Sequence, residues 1–95
     1  MAVKILIKRK VADRENEALN TLLRQFRALA IEQSGYISGE TMRRVDSPGE
    51  CLVISTWKSV NDWNAWYKNP ARLAIQGQID VLLGAETTYE VYEAG

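Results

Sequence analysis

A chain of 95 residues with no His and one Cys excludes zinc sites, Ser-His and Cys-His triads and an intrachain disulfide, because the usual metal ligand, the usual neutral-pH base and a second thiol are all missing. Twelve basic side chains balance twelve acidic ones, so there is no basic field for nucleic acid or an anionic membrane, and a small neutral or aromatic ligand is the better fit. At this length one domain over residues 1–95 is expected; it buries only about 60 to 65% of its unfolded surface, and self-association is the simplest reinforcement.

In chain order, Val3, Ile5 and Ile7 alternate with Lys4, Leu6 and Lys8, the period-two pattern of a strand with one buried face, ending near Lys10. The run is too short and too charged for a membrane span or a secretion signal, so a cytoplasmic location is expected. Asp13 is a candidate cap for a helix in which Leu19, Leu22, Leu23, Phe26, Leu29 and Ala30 share one face, with Arg14, Glu17, Arg24, Arg27 and Glu32 elsewhere and Ser34-Gly35 as the stop. Tyr36 to Val45 and Cys51 to Trp57 flank Asp46-Ser47-Pro48-Gly49-Glu50, which reads as a hairpin. Cys51 opens an apolar strand, where burial keeps a thiol protonated and inert.

Ser59, with Asp62 three residues on, predicts a capping box and a short helix through Tyr67. Asn69-Pro70 predicts the next helix, with Ala71, Ala74, Ile75, Ile79, Leu82 and Leu83 on its inner face and Gly84 at its end. Thr87, Tyr89 and Val91 alternate with Thr88, Glu90 and Tyr92 as a last strand. The order strand, helix, strand, strand, helix, strand is that of an α+β, ferredoxin-like βαββαβ fold with a four-stranded antiparallel sheet. Helices then cover one sheet face only. Leu6, Met42, Leu52 and Ile54 fall on the other, which predicts a homodimer through that face.

Trp57, Trp63, Trp66 and Tyr67 lie within eleven positions. Trp63, Trp66 and Tyr67 share a helical face and offer π-surface with polar handles, either as a core plug or as the wall of a ligand pocket. Asn61 and Asn64 flank them with amides able to hydrogen-bond a phenol or carbonyl, although Asn61 also suits the first helical turn. Arg43, Arg44, Lys58 and Lys68 read mainly as solvated surface.

Gly35-Tyr36-Ile37-Ser38-Gly39, Ser55-Thr56-Trp57-Lys58-Ser59 and Trp63-Asn64-Ala65-Trp66 before Asn69-Pro70 resemble the antibiotic biosynthesis monooxygenase (ABM) domain, from about Ala2 to Tyr92. The resemblance implies a dimeric α+β barrel in which two sheets pack face to face, with a pocket in each subunit between sheet and helices. Some members oxidise anthrones or quinols with molecular oxygen and neither metal nor flavin; others open haem. The haem-degrading branch uses a first-strand Asn, a Trp and a His iron ligand. Only the Trp is matched, at Trp66; Gln76 stands at the ligand position, no Asn occurs between Met1 and Asp13, and an amide is a poor substitute for imidazole.

The resemblance therefore implies a monooxygenase without metal or cofactor, acting on a small aromatic substrate of quinol or anthrone type. Trp63, Trp66 and Tyr67 would line the slot, Asn61 or Asn64 would steady the oxyanion, and Arg72 or Gln76 would assist from the facing wall. Without His, the base is a carboxylate such as Asp62, a water, or the substrate's own acidity. A non-catalytic ligand-binding dimer and a purely structural aromatic core are the competing expectations.

Overall fold

The computed structural model describes residues 1–12 and 16–95. Its elements are β1 (Val3–Lys10), α1 (Glu17–Ile31), β2 (Tyr36–Arg43), β3 (Glu50–Trp57), α2 (Val60–Tyr67), α3 (Pro70–Leu83) and β4 (Thr88–Glu93). The strands form an antiparallel sheet in the order β2-β3-β1-β4. Two split βαβ units interleave to give this order, which is the ferredoxin-like arrangement; α2 and α3 together fill the second crossover.

β1 fixes which way the sheet faces. Val3, Ile5, Ile7 and Arg9 are buried under the helices, while Lys4, Leu6, Lys8 and Lys10 point to the other side. Pairing carries that parity outward, with Ile5 opposite Ser55 and Val91, and Arg9 opposite Cys51. The outer face carries partly exposed Leu6, Leu52 and Ile54 beside Met42, which is 47% exposed. On β2 the register shifts between Tyr36 and Ser38. The extra residue, Ile37, reverses the parity of the strand. Tyr36 thereby meets Trp57 edge-on, with ring centroids 5.4 Å apart.

The helix boundaries follow local chemistry. Asp13 and Arg14 lie outside the described residues; α1 begins at Glu17, capped by Asn16, whose Oδ1 accepts from the Leu19 amide at 3.0 Å. It ends at Ile31, before the expected Ser34-Gly35 stop, and Gly35 instead forms the following turn at φ +85°. Ser59 caps α2: its Oγ accepts from the Asp62 amide at 3.1 Å. It also donates to the Asp62 carboxylate at 2.9 Å. Asn69 caps α3 through the amides of Ala71 and Arg72, and Gly84 closes it at φ +66°.

The expected inner face of α3 needs correction. Ala71 and Ala74 are exposed and Leu82 is 41% exposed, whereas Arg72, Gln76 and Ile79 are buried. The helix has turned two polar side chains toward the sheet. Apolar periodicity misplaces such a face because it assigns long polar residues to solvent by default.

Candidate functional site

The polar side chains of α3 meet the sheet around Arg72, which is 2% exposed. Its Nη1 donates to the Tyr67 carbonyl at 3.1 Å and its Nη2 to the Tyr89 hydroxyl at 2.5 Å. Four rings surround the guanidinium carbon: Tyr67 at 4.7 Å, Tyr89 at 5.2 Å, Phe26 at 5.4 Å and Trp66 at 6.0 Å to the centroids. A guanidinium suits such a box because it is weakly hydrated and stacks on aromatic faces.

Behind this box the indoles interlock. Trp66 stacks on Trp57 at 6.2 Å and meets Phe26 edge-on at 5.5 Å, while Trp63 packs against Trp57, Tyr67 and Tyr89. The Trp57 indole N–H donates to Ser55 Oγ at 2.7 Å. Trp57, Trp63 and Trp66 are buried, and Tyr67, at 40% exposed, is the edge of the cluster that reaches solvent.

Next to Arg72 on the same face of α3, Gln76 is committed at both ends. Its Oε1 accepts from Arg9 Nη2 at 3.4 Å, and its Nε2 donates to Asp80 at 2.7 Å and to Thr87 at 3.0 Å. Thr87 Oγ1 donates to the same Asp80 oxygen at 3.2 Å. The amide thus faces protein partners, not a vacant position for iron, and the residues do not fit a haem ligand set.

The electrostatics are lopsided. Arg9 and Arg72 are both buried, and Arg9 Nε and Arg72 Nε have no hydrogen-bond partner. Among the described residues the ion pairs are Lys8–Glu90, Arg44–Asp46 and Arg44–Glu50, none of which involves these two. Burial lowers the Arg9 pKa from its ordinary value, the nearby Arg72 charge adding to that effect. Burial also raises that of Tyr89, against the opposing pull of Arg72 and Arg9. Tyr89 is therefore a phenol at neutral pH and does not supply the missing negative charge. Asp80 acts favourably on Arg9 through space without forming an ion pair, so two buried guanidinium charges face one carboxylate, and a buried charge short of counter-ions is costly.

Trp63, Trp66, Tyr67, Arg72 and Gln76 therefore come together between sheet and helices. Asn61 and Asn64 are solvent-exposed on α2, and Asp62 is held by Ser59. Sequence reasoning passed over Arg9, Phe26, Asp80, Thr87 and Tyr89 as members of the cluster. A signal for Arg9 existed, since it has the same parity as Val3, Ile5 and Ile7 on β1. A cavity of about 650 Å³ lies on the other, outer face of the sheet, lined by Lys8, Lys10, Met42, Leu52 and Thr88 among others, and none of Trp63, Trp66, Tyr67, Arg72 and Gln76 borders it.

The split βαβ sheet with an aromatic and cationic cluster under its helices defines a small α+β protein of ferredoxin-like type. Residues 2–78 match the family described as antibiotic biosynthesis monooxygenase, and the chain belongs to that family. Among solved structures it is similar to a conserved protein from Methanosarcina mazei Go1, with a TM-score of 0.87, 15% identity, and coverage of 100% of this chain and 94% of that one. It is also similar to SnoaB, a cofactor-independent oxygenase from Streptomyces nogalater, with a TM-score of 0.83, 15% identity, and coverage of 99% and 93%. Rv0793 from Mycobacterium tuberculosis matches with a TM-score of 0.82, 18% identity, and coverage of 100% and 96%. At these identities the likeness is one of fold. No curated protein matches the chain. Among the described residues no helix is long and apolar enough to cross a membrane.

Proposed function

We propose that this protein is a monooxygenase that uses molecular oxygen without metal or organic cofactor, acts on a small quinol- or anthrone-like aromatic, and works as a homodimer joined through the outer sheet face. The observation that carries this reading is the box of Phe26, Trp66, Tyr67 and Tyr89 around the buried Arg72 guanidinium. It puts aromatic surface beside a buried positive charge, the two features that a flat aromatic substrate and its oxyanion call for.

The chemistry asks for little else. A phenol or anthrone loses a proton, and a nearby guanidinium favours the resulting anion. The anion passes one electron to oxygen, and the radical and superoxide combine at carbon to give a hydroperoxide. Loss of water leaves a carbonyl in place of a CH₂, so one oxygen atom ends in product and the other in water. Trp63, Trp66 and Tyr67 form the wall in this reading. Arg72, whose Nε has no partner, takes the oxyanion contact; Gln76, committed to Arg9, Asp80 and Thr87, supports the facing wall, and Asn61 and Asn64, exposed on α2, are not assigned the contact. Asp80 is the carboxylate within the cluster, while Asp62 serves as the helix cap.

Quinone formation from dithranol, an anthrone, tests this reading. Trp66→Phe and Arg72→Gln should each lower the rate about tenfold to a hundredfold at retained circular dichroism, the scale of one lost transition-state contact. Unchanged rates in both variants would contradict it. Ligand quenching of tryptophan fluorescence without quinone formation would favour a binding protein instead.

A further inference from the structure

Among the described residues every aromatic ring except Tyr92 belongs to one connected network. The three indoles are consecutive in it: Trp66 stacks on Trp57 at 6.2 Å with 23° between the planes, and Trp57 meets Trp63 at 6.0 Å. Beyond Trp63 comes Tyr67 at 5.7 Å, and beyond Trp57 comes Tyr36 at 5.4 Å. The indoles are buried, whereas Tyr67 is 40% exposed. A core needs only apolar volume, which aliphatic side chains supply as well. An unbroken series of indoles that ends on a phenol in water has a further property. These rings give up single electrons readily, and electrons pass between rings this close, so an oxidising equivalent received by one indole moves to the others.

Charge and proton access give the series a direction. Arg72 lies over Trp66 at 6.0 Å, and among the described residues no guanidinium lies over Trp57 or Trp63. An indole that has lost an electron is a cation, so the Arg72 charge drives it from Trp66 toward Trp57. A tyrosine ends the series only where its phenol releases a proton as the electron leaves. Tyr89 is poorly placed for that, since its hydroxyl accepts from Arg72 Nη2 and burial disfavours its anion. The Tyr36 hydroxyl is laid over Gly39, 2.7 Å from where a Cβ would stand. Tyr67 is the ring of the network most open to solvent, so water takes its proton.

Resting on the oxygenase reading for the source of radicals, we propose that these rings are a radical-discharge relay, which carries an oxidising equivalent from Trp66 through Trp57 and Trp63 to Tyr67 at the surface. A peroxyl or substrate-derived radical that strays from the reaction takes one electron from Trp66 and is itself reduced. Trp57, Trp63 and Tyr67 each pass one electron inward in turn. Tyr67 ends as a neutral phenoxyl, its proton released to water. A soluble enediol reductant of the ascorbate type returns a hydrogen atom and becomes the radical, which restores the phenol and leaves the buried indoles chemically intact.

Flash photolysis of the full chain, without substrate and with a cobalt(III) ammine as electron acceptor, tests the relay. Light at the red edge of the indole band ionises tryptophan and not tyrosine, and the acceptor keeps the electron. In the wild type the indole radical should decay as the tyrosyl absorption rises, at a rate independent of protein concentration and slower in deuterated water. Tyr67→Phe, which keeps the ring, should lose most of the tyrosyl signal and prolong the indole radical. Tyr92→Phe should match the wild type, although Tyr92 is 50% exposed, because its ring is outside the network. Absence of tyrosyl growth in the wild type would overturn the proposal, as would growth that survives Tyr67→Phe and is lost in Tyr36→Phe, Tyr89→Phe or Tyr92→Phe. Transfer to Tyr67 without oxidation of dithranol would leave the relay standing and remove the oxygenase reading; dithranol oxidation without the transfer would do the reverse.

Discussion

Tyr89 on β4 accepts a hydrogen bond from Nη2 of Arg72 on α3 at 2.5 Å, and through it the last strand fastens the cationic centre of the cluster. Arg72→Ala should remove that bond, the bond to the Tyr67 carbonyl and the filling of the aromatic box, costing about 3 to 5 kcal/mol. Arg72→Met keeps most of the volume and removes the buried charge, and should cost less than half as much. Urea unfolding of both variants checks this; equal losses would mean that the rings, not volume and charge, determine the local stability.

Ionisation of Tyr89 makes stability fall in alkali. Its pKa lies above the ordinary 10.0 in the folded protein because burial disfavours the phenolate. The folded state therefore holds a proton that the unfolded state releases, so this contribution is complete below pH 10.0 and is lost as pH rises toward the folded value. Tyr89→Phe should flatten the decline in unfolding free energy above that pH. Parallel declines in the two proteins would contradict the burial of the hydroxyl.

Two glycines separate strain from crowding. Gly35 has φ +85°, and an added Cβ would lie 2.3 to 2.5 Å from the Asp62 side chain; Gly84 has φ +66° with nothing within 4 Å. Gly84→Ala should cost about 1 kcal/mol from conformation alone. Gly35→Ala should cost about 2 to 4 kcal/mol, because it also displaces the carboxylate at the α2 cap. Thermal unfolding that ranks the two the other way would contradict the close approach of Gly35 to α2.

The outer face of the sheet supports a further expectation. Leu6 and Ile54 are direct partners across β1 and β3, and Leu52 neighbours Met42 across β3 and β2. Ile54→Lys and Leu52→Lys should convert a dimer of about twice the 10.7 kDa chain mass into monomer in sedimentation, since a charge at the centre of an apolar contact is poorly tolerated. A wild type that sediments as monomer would contradict the proposed assembly.

Much of the fold was legible because its signals are local: alternation on β1, Ser59 and Asn69 at the helix starts, Gly84 at a helix end. The bulge at Ile37 was not, because the placement of Tyr36 against Trp57 follows from pairing with β3 and not from the β2 sequence. For the candidate site, the spacing of Trp63, Trp66 and Tyr67 was enough to place them together on one helical face, and the family resemblance pointed to Arg72 and Gln76 beside them. The missed partners Arg9, Asp80, Thr87 and Tyr89 come from β1, the end of α3 and the start of β4, and only tertiary packing brings them together. Buried arginines are also the case in which hydropathy reasoning points the wrong way, as the rotated face of α3 shows.

Oxygen uptake by purified, chelator-treated protein with dithranol tests the central claim most directly. Uptake above the autoxidation of the substrate, equimolar with quinone formed and sharply reduced in Trp66→Phe, is the result expected of a site that lets the substrate itself reduce oxygen. Binding of dithranol with uptake no faster than in buffer alone would contradict it.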